Sequence, residues 1–160
     1  WSVAPERIRA LYAAHRPVLM LHFGVASDAA GFRIETEAAN TCRPAPDAAG
    51  LMPLATHLRA DCAATVRATI PFARIHAHLT AAGYPTSLSD DAGGYLCNAV
   101  LYHALDVHQS FATECDDVMR DPCRVGFIHV PPTLEGPPLD FEMAVSGALE
   151  ILTLCMAERA

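Results

Sequence analysis

Apolar residues recur along this chain in two rhythms, one of turns and one of extended runs. Ala4 to His15 places them at helical spacing behind Pro5 and Glu6, which predicts an amphipathic helix. Pro17 to Gly24 is a short, nearly unbroken apolar run closed by glycine, the pattern of a strand buried on both faces. Phe32 to Ala38 alternates at first and gives a weaker extended signal, and the proline-bearing stretch 41–54 reads as a loop. Ile70 to Ala82 is a second helix, stopped by Gly83 and Pro85. Thr86 to Ser89 is a short extended piece, Asp90 to Gly94 a turn, and Tyr95 to Leu105 again helical. Residues 109–123 read as polar and irregular. Arg124 to Val130 is a strand ended by Pro131 and Pro132. Asp140 to Glu158 is a long closing helix with Phe141, Val145, Leu149, Leu152 and Cys155 near one face. Strands alternating with helices predict a single α/β domain whose largely parallel sheet is covered by helices.

Composition narrows what such a domain does. The chain has 160 residues, 52% of them hydrophobic, enough for one compact core. Its 11 basic residues are all Arg, so chemistry that needs Lys, such as a Schiff base or a Gly-Lys-Ser/Thr phosphate loop, is excluded. The net charge of −7 argues against nucleic acid or an anionic membrane as the main partner. No apolar stretch reaches the roughly 18 residues of a membrane span, and no secretory signal opens the chain at Trp1-Ser2-Val3. The six cysteines (42, 62, 97, 115, 123 and 155) show no repeated framework, so reduced thiols in a cytosol are expected. Neither Cys-x-x-Cys nor His-Glu-x-x-His occurs. His76 and His78 fall on different helix faces, and with His103 and His108 they read as helix-surface histidines rather than metal ligands.

Three residues combine a reactive side chain with a suggestive place. Cys97 follows a short strand and the Gly93-Gly94 turn, in the first turn of a predicted helix. Unpaired N–H groups and the helix dipole favour a thiolate there. His129 lies near the carboxyl end of an apolar strand, the edge at which open α/β sheets bind ligands, and imidazole titrates near neutrality. Glu35, in the extended segment returning from the first strand, is a carboxylate able to fix the histidine tautomer. Each also has a plainer reading: a small buried cysteine, a hydrogen-bonded strand-end histidine, a solvated surface acid. By residue type alone the chain is an α/β domain, with a thiol enzyme among the open readings.

The motifs around these residues carry a resemblance. Ser89-Asp90-Asp91-Ala92-Gly93-Gly94-Tyr95-Leu96-Cys97-Asn98 resembles the nucleophile segment Ser-x-x-Ala-Gly-x-Tyr-x-Cys-Asn of the pyroglutamyl peptidase type I (pyrrolidone carboxyl peptidase) family. Gly126-Phe127-Ile128-His129-Val130-Pro131 is similar to its Gly-Phe-Ile-His-Val-Pro strand. Glu35 to Asn40 resembles its Glu-Arg-x-Ala-x-Asn, and His22-Phe23-Gly24 its His-Val-Gly. The order acid, nucleophile, histidine also agrees. The resemblance implies a three-layer α/β/α sandwich with a twisted, largely parallel sheet, and a cytoplasmic thiol peptidase releasing amino-terminal pyroglutamate from peptides. It further implies a homo-oligomer, commonly a tetramer in bacteria, with no metal or organic cofactor. Cys97 would be nucleophile, His129 general acid/base and Glu35 its orienting residue. Arg43, with backbone near Gly94 and Leu96, would serve the oxyanion and substrate. Thr36 stands where the family has Arg, and Val25 where many members carry a polar residue. The family's opening strand, ending Gly-Phe-x-Pro-Phe-Gly, has no counterpart, so the amino-terminal β-α unit is expected to be missing from 1–160. Two other readings stay open: a non-catalytic or repurposed homologue acting as scaffold or binding module, and a thiol amidase of different specificity.

Overall fold

The computed structural model describes residues 1–60, 62–114 and 123–157. Helix α1 (Val3–His15) carries Glu6 in its first turn and stops at Arg16, which takes a left-handed conformation with its N–H on the Tyr12 carbonyl. Four strands form the main sheet: β1 (Leu19–Val25), β2 (Phe32–Glu35), β5 (Thr86–Ser89) and β6 (Arg124–Val130), in the order β1-β6-β2-β5. A two-stranded antiparallel sheet pairs β3 (Glu37–Ala39) with β4 (Thr65–Arg67). The remaining helices are α2 (Phe72–Ala81), α3 (Leu96–Glu114) and α4 (Phe141–Met156).

Period two along β6 divides the core. Val125 and Phe127 face one way and pack with Ile8 and Tyr12 of α1 and Leu101, Tyr102 and Leu105 of α3. Ile128 faces the other way, with Phe32 and Ile34 of β2, Ile75 and Leu79 of α2, and Ile151 and Leu154 of α4. Helices thus cover both faces, and the expected α/β/α sandwich holds. Its sheet is mostly parallel: β1–β6 and β2–β5 run parallel, whereas β2 meets β6 antiparallel. Glycine at Gly126 is required by packing, because a Cβ there would lie 2.3 Å from the Ile70 side chain.

Several expectations are corrected. β1 is not buried on both faces. It is an edge strand of intermediate exposure, with Phe23 and Val25 exposed, because an apolar run does not specify what covers it. The extended segment 32–38 breaks at Thr36, whose N–H and hydroxyl both bond the Ser89 carbonyl (2.7 and 2.9 Å), and the chain then leaves the main sheet for β3. Residues 109–114 are helical, not irregular, as α3 continues to Glu114. Residues 115–122, and Glu158 at the end of the predicted closing helix, lie outside the described residues. His103 and His108 are buried rather than on the surface, and burial pushes both imidazoles down.

On α4 the predicted stripe is largely the outer one. Phe141, Val145, Leu149 and Leu152 are exposed, while Ala144, Gly147, Ile151, Leu154 and Cys155 face the core. Small residues let this face approach: a Cβ on Gly147 would stand 2.4 Å from the Phe32 ring. Asp140 caps the helix, accepting the Met143 N–H at 2.8 Å.

Candidate active site

Chain topology gathers Glu35, Cys97 and His129 at one end of the sheet. The antiparallel register sets Glu35 opposite Phe127 and Arg33 opposite His129, so these side chains share the face covered by α3. His129 is second from the end of β6, Glu35 ends β2, and Cys97 is the second residue of α3. The turn before α3 depends on Gly93, whose φ of 76° belongs to the left-handed region.

His129 and Glu35 are buried, with His129 Nδ1 2.7 Å from Glu35 Oε1. A carboxylate only accepts, so Nδ1 carries the hydrogen and donates, which leaves Nε2 for the other side of the ring. Cys97 is half-buried beside this ring, and its side chain favours the charged form of the imidazole. Burial opposes the imidazolium, but the hydrogen bonds and charges of Cys97 and Glu35 outweigh it and push His129 up to about 9. Phe127 supports the ring from below at 4.8 Å between centroids. Gly24 on β1 leaves space for both Phe127 and the sulfur: a Cβ there would lie 2.6 Å from Phe127 and 3.2 Å from Cys97 Sγ. A thiol, an imidazole and a carboxylate in this sequence can move a proton from sulfur to ring and hold the resulting charge.

The start of α3 is fastened to the chain beside it. The buried Asn98 side chain accepts the Ala39 N–H at 2.8 Å and donates to the carbonyls of Ala39 (2.8 Å) and Thr41 (3.0 Å). Arg43 lies against the turn, its N–H on the Gly94 carbonyl at 2.6 Å and its guanidinium 5.4 Å over the Tyr95 ring. Arg43 and Gly94 are therefore neighbours of Cys97's turn, while Leu96 opens the helix with an N–H that lies in its first turn. Two further residues, Arg33 and Asp28, reach the carboxylate side of this cluster. Arg33 Nε is 3.3 Å from Glu35 Oε1, and Arg33 Nη1 is 2.9 Å from Asp28 Oδ2. Strand periodicity offered the signal, since Arg33 and Glu35 are two apart. A separate apolar cavity of about 480 Å³ is lined by Trp1, Pro5, Cys42, Leu54, His57 and His103 and touches none of the three residues above.

Comparison with known proteins gives this arrangement its lineage. The family model for pyroglutamyl peptidases matches residues 2–147. The chain belongs to the pyroglutamyl peptidase family. A pyrrolidone-carboxylate peptidase of Gloeobacter violaceus is 33% identical over 142 residues, covering 81% of this chain and 65% of that protein. One from Cupriavidus taiwanensis is 31% identical across all of this chain and 74% of its own length. The chain thus spans about two thirds to three quarters of these relatives. A mutant pyrrolidone carboxyl peptidase of Pyrococcus furiosus superposes with a TM-score of 0.84 over 98% of this chain and 77% of its own, at 24% identity, a likeness of fold. Against the pyroglutamyl peptidase pattern, Thr36 departs from the usual arginine, and its bonds to Ser89 give it a structural place at the strand corner.

Proposed function

We propose that this chain carries the catalytic centre of a thiol peptidase that removes pyroglutamate from the amino end of peptides. The observation that supports this best is the buried Glu35–His129 hydrogen bond, with Cys97 at the start of α3 next to the same end of the sheet. In this reading the Cys97 sulfur attacks the carbonyl that follows the pyroglutamyl ring. The sulfur–carbon bond forms as the carbonyl π electrons move to oxygen. Backbone N–H groups at the start of α3, around Gly94 and Leu96, with Arg43 beside them, stabilise that oxyanion. The tetrahedral species collapses, the carbon–nitrogen bond breaks, and the His129 proton goes to the leaving amine. Water then gives a proton to His129 and adds to the thioester carbonyl; the carbon–sulfur bond breaks, the proton returns from His129 to sulfur, and pyroglutamate leaves with the thiol restored. Glu35 keeps the ring oriented and offsets its positive charge throughout.

The test is turnover of a chromogenic pyroglutamyl amide by the purified chain and by Cys97→Ser. The chain is expected to release the amine and the variant to release none, with unchanged circular dichroism. Equal rates for the two would overturn the assignment of the nucleophile.

Among the described residues no helix is long and apolar enough to cross a membrane. The free thiols Cys42, Cys62, Cys97 and Cys155 support a reducing, cytoplasmic setting. Self-association through α4 completes the reading, because its exposed stripe is the kind of surface that copies of a chain cover.

A further inference from the structure

We infer that Arg33 is a positioning residue, which through its ion pair with Glu35 holds that carboxylate in place and offsets its charge while His129 gains and loses its proton. The inference rests on the reading of His129 as the proton carrier. Glu35 is wholly inaccessible to solvent, and its Oε2 has no hydrogen-bond partner among the described residues. Its Oε1 receives both Arg33 Nε at 3.3 Å and His129 Nδ1 at 2.7 Å. A buried carboxylate needs a cation nearby. His129 supplies one only while protonated, and each turnover makes it neutral. Arg33 does not titrate in this range, so it is the countercharge that remains.

The fold aims Arg33 at this task. It is the cross-strand partner of His129 and stands two residues before Glu35, so all three side chains lie on one face. Exposed Asp28, in the connection from β1 to β2, holds the far side of the guanidinium at 2.9 Å. Among the described residues, the remaining titratable groups facing the ring and carboxylate are Cys97 from α3 and, across Phe127, His22 of β1, whose imidazole burial pushes down. Arg33 therefore has two effects of the same sign. It repels the imidazolium directly, and it removes the penalty for a neutral imidazole beside Glu35. Both make the His129 proton easier to release to a leaving amine.

Alkylation of Cys97 by iodoacetamide across pH, followed by the mass of the Cys97 peptide, reads this without any substrate. The wild-type rate should show an upper inflection near the His129 midpoint, about 9. Arg33→Gln should move that inflection up by about half a unit to one unit, and Arg33→Lys should return it. Asp28→Asn changes an exposed side chain and should move it the other way by about a few tenths of a unit. On the reporter amide, Arg33→Gln should lower kcat with KM little changed. An unmoved inflection in Arg33→Gln, no return in Arg33→Lys, or an upward shift in Asp28→Asn would each overturn the inference. Failure of the protein to turn over the reporter, with these shifts intact, would instead overturn the peptidase reading alone.

Discussion

Helices α3 and α4 cover opposite faces of one sheet and spend their apolar residues differently. On α3, Ala99, Leu101, Tyr102, Ala104, Leu105 and Val107 are all buried, and Asn98 adds three hydrogen bonds at its start. On α4, Ala144, Gly147, Ile151, Leu154 and Cys155 form the seam with the core while Phe141, Val145, Leu149, Leu152 and Met156 stay exposed. The first arrangement fixes the helix end that carries Cys97 relative to β6 and β2. The second holds a helix firmly enough for folding and leaves one face unspent. Precision is built where chemistry is read, and apolar surface is left where nothing within the chain needs it.

The largest effect should come from the α3 side of this contrast. His129→Ala removes the proposed proton carrier and should lower kcat by about two to four orders of magnitude on the reporter amide. Because the ring also covers Phe127, a paired urea melt should accompany the assay. A loss below tenfold would count against His129 as the group that serves the leaving amine.

Asn98→Ala comes next, and it tests whether the anchoring of α3 matters as much as its apolar packing. The change removes the three hydrogen bonds that the buried Asn98 side chain makes with the Ala39 N–H and the Ala39 and Thr41 carbonyls, at a cost of about 3 kcal/mol. Urea denaturation should show that loss, and alkylation of Cys97 in the folded variant should lose its dependence on the state of His129. A stability change below about 0.5 kcal/mol would mean that packing alone sets the helix end.

Titration sharpens the same point more gently. His129 is held up at about 9, above the ordinary 6.5, so the protonated form persists through neutral pH and is lost as pH rises past about 9. Turnover that needs imidazolium for the leaving amine should therefore fall on that alkaline side. Cys97→Ser removes one of the groups that raise the ring but keeps Glu35. NMR titration of the His129 ring should then find its midpoint below that of the wild type. An unchanged midpoint would show that the sulfur does not communicate with the imidazole.

Much of this contrast was legible before any coordinates. The Gly-Gly turn before Cys97 and the apolar strand ending at His129 are local patterns, and local patterns survive folding. The antiparallel meeting of β2 with β6 was not legible, because pairing direction depends on residues nearly a hundred positions apart. Strand β4, three residues at Thr65–Arg67, is too short for periodicity to register. Thr36 reads as part of one strand until Ser89 draws its backbone aside. Arg33 was visible in principle, since period two from Glu35 puts it on the same face, but its value appears only once His129 stands opposite. On α4 apolar residues occupy more than one face, so periodicity alone does not say which face meets the core: Ile151 and Leu154 go inward with Ala144 and Gly147, while Phe141, Val145 and Leu149 stay outside.

The smallest effect on the folded chain, and the one that tests the α4 side, is Leu149→Glu. Leu149 is 59% exposed at the middle of the outer stripe, a turn from Val145 and Leu152, and faces away from the seam of Ala144, Gly147 and Ile151. A charge there removes no core contact, so urea stability at low concentration should stay within about 0.5 kcal/mol of wild type. Association is a different matter, because a carboxylate brought into an apolar interface must be desolvated without a partner. Light scattering after size exclusion should therefore find the wild type heavier than one chain and Leu149→Glu reduced to one, while Cys97 keeps its alkylation profile. The two readouts separate the faces of the molecule: loss of assembly with an intact site is what two independently used helices predict. If the variant assembles as the wild type does, the stripe is not where copies meet. If it assembles less and Cys97 changes with it, the two helices are coupled rather than used independently.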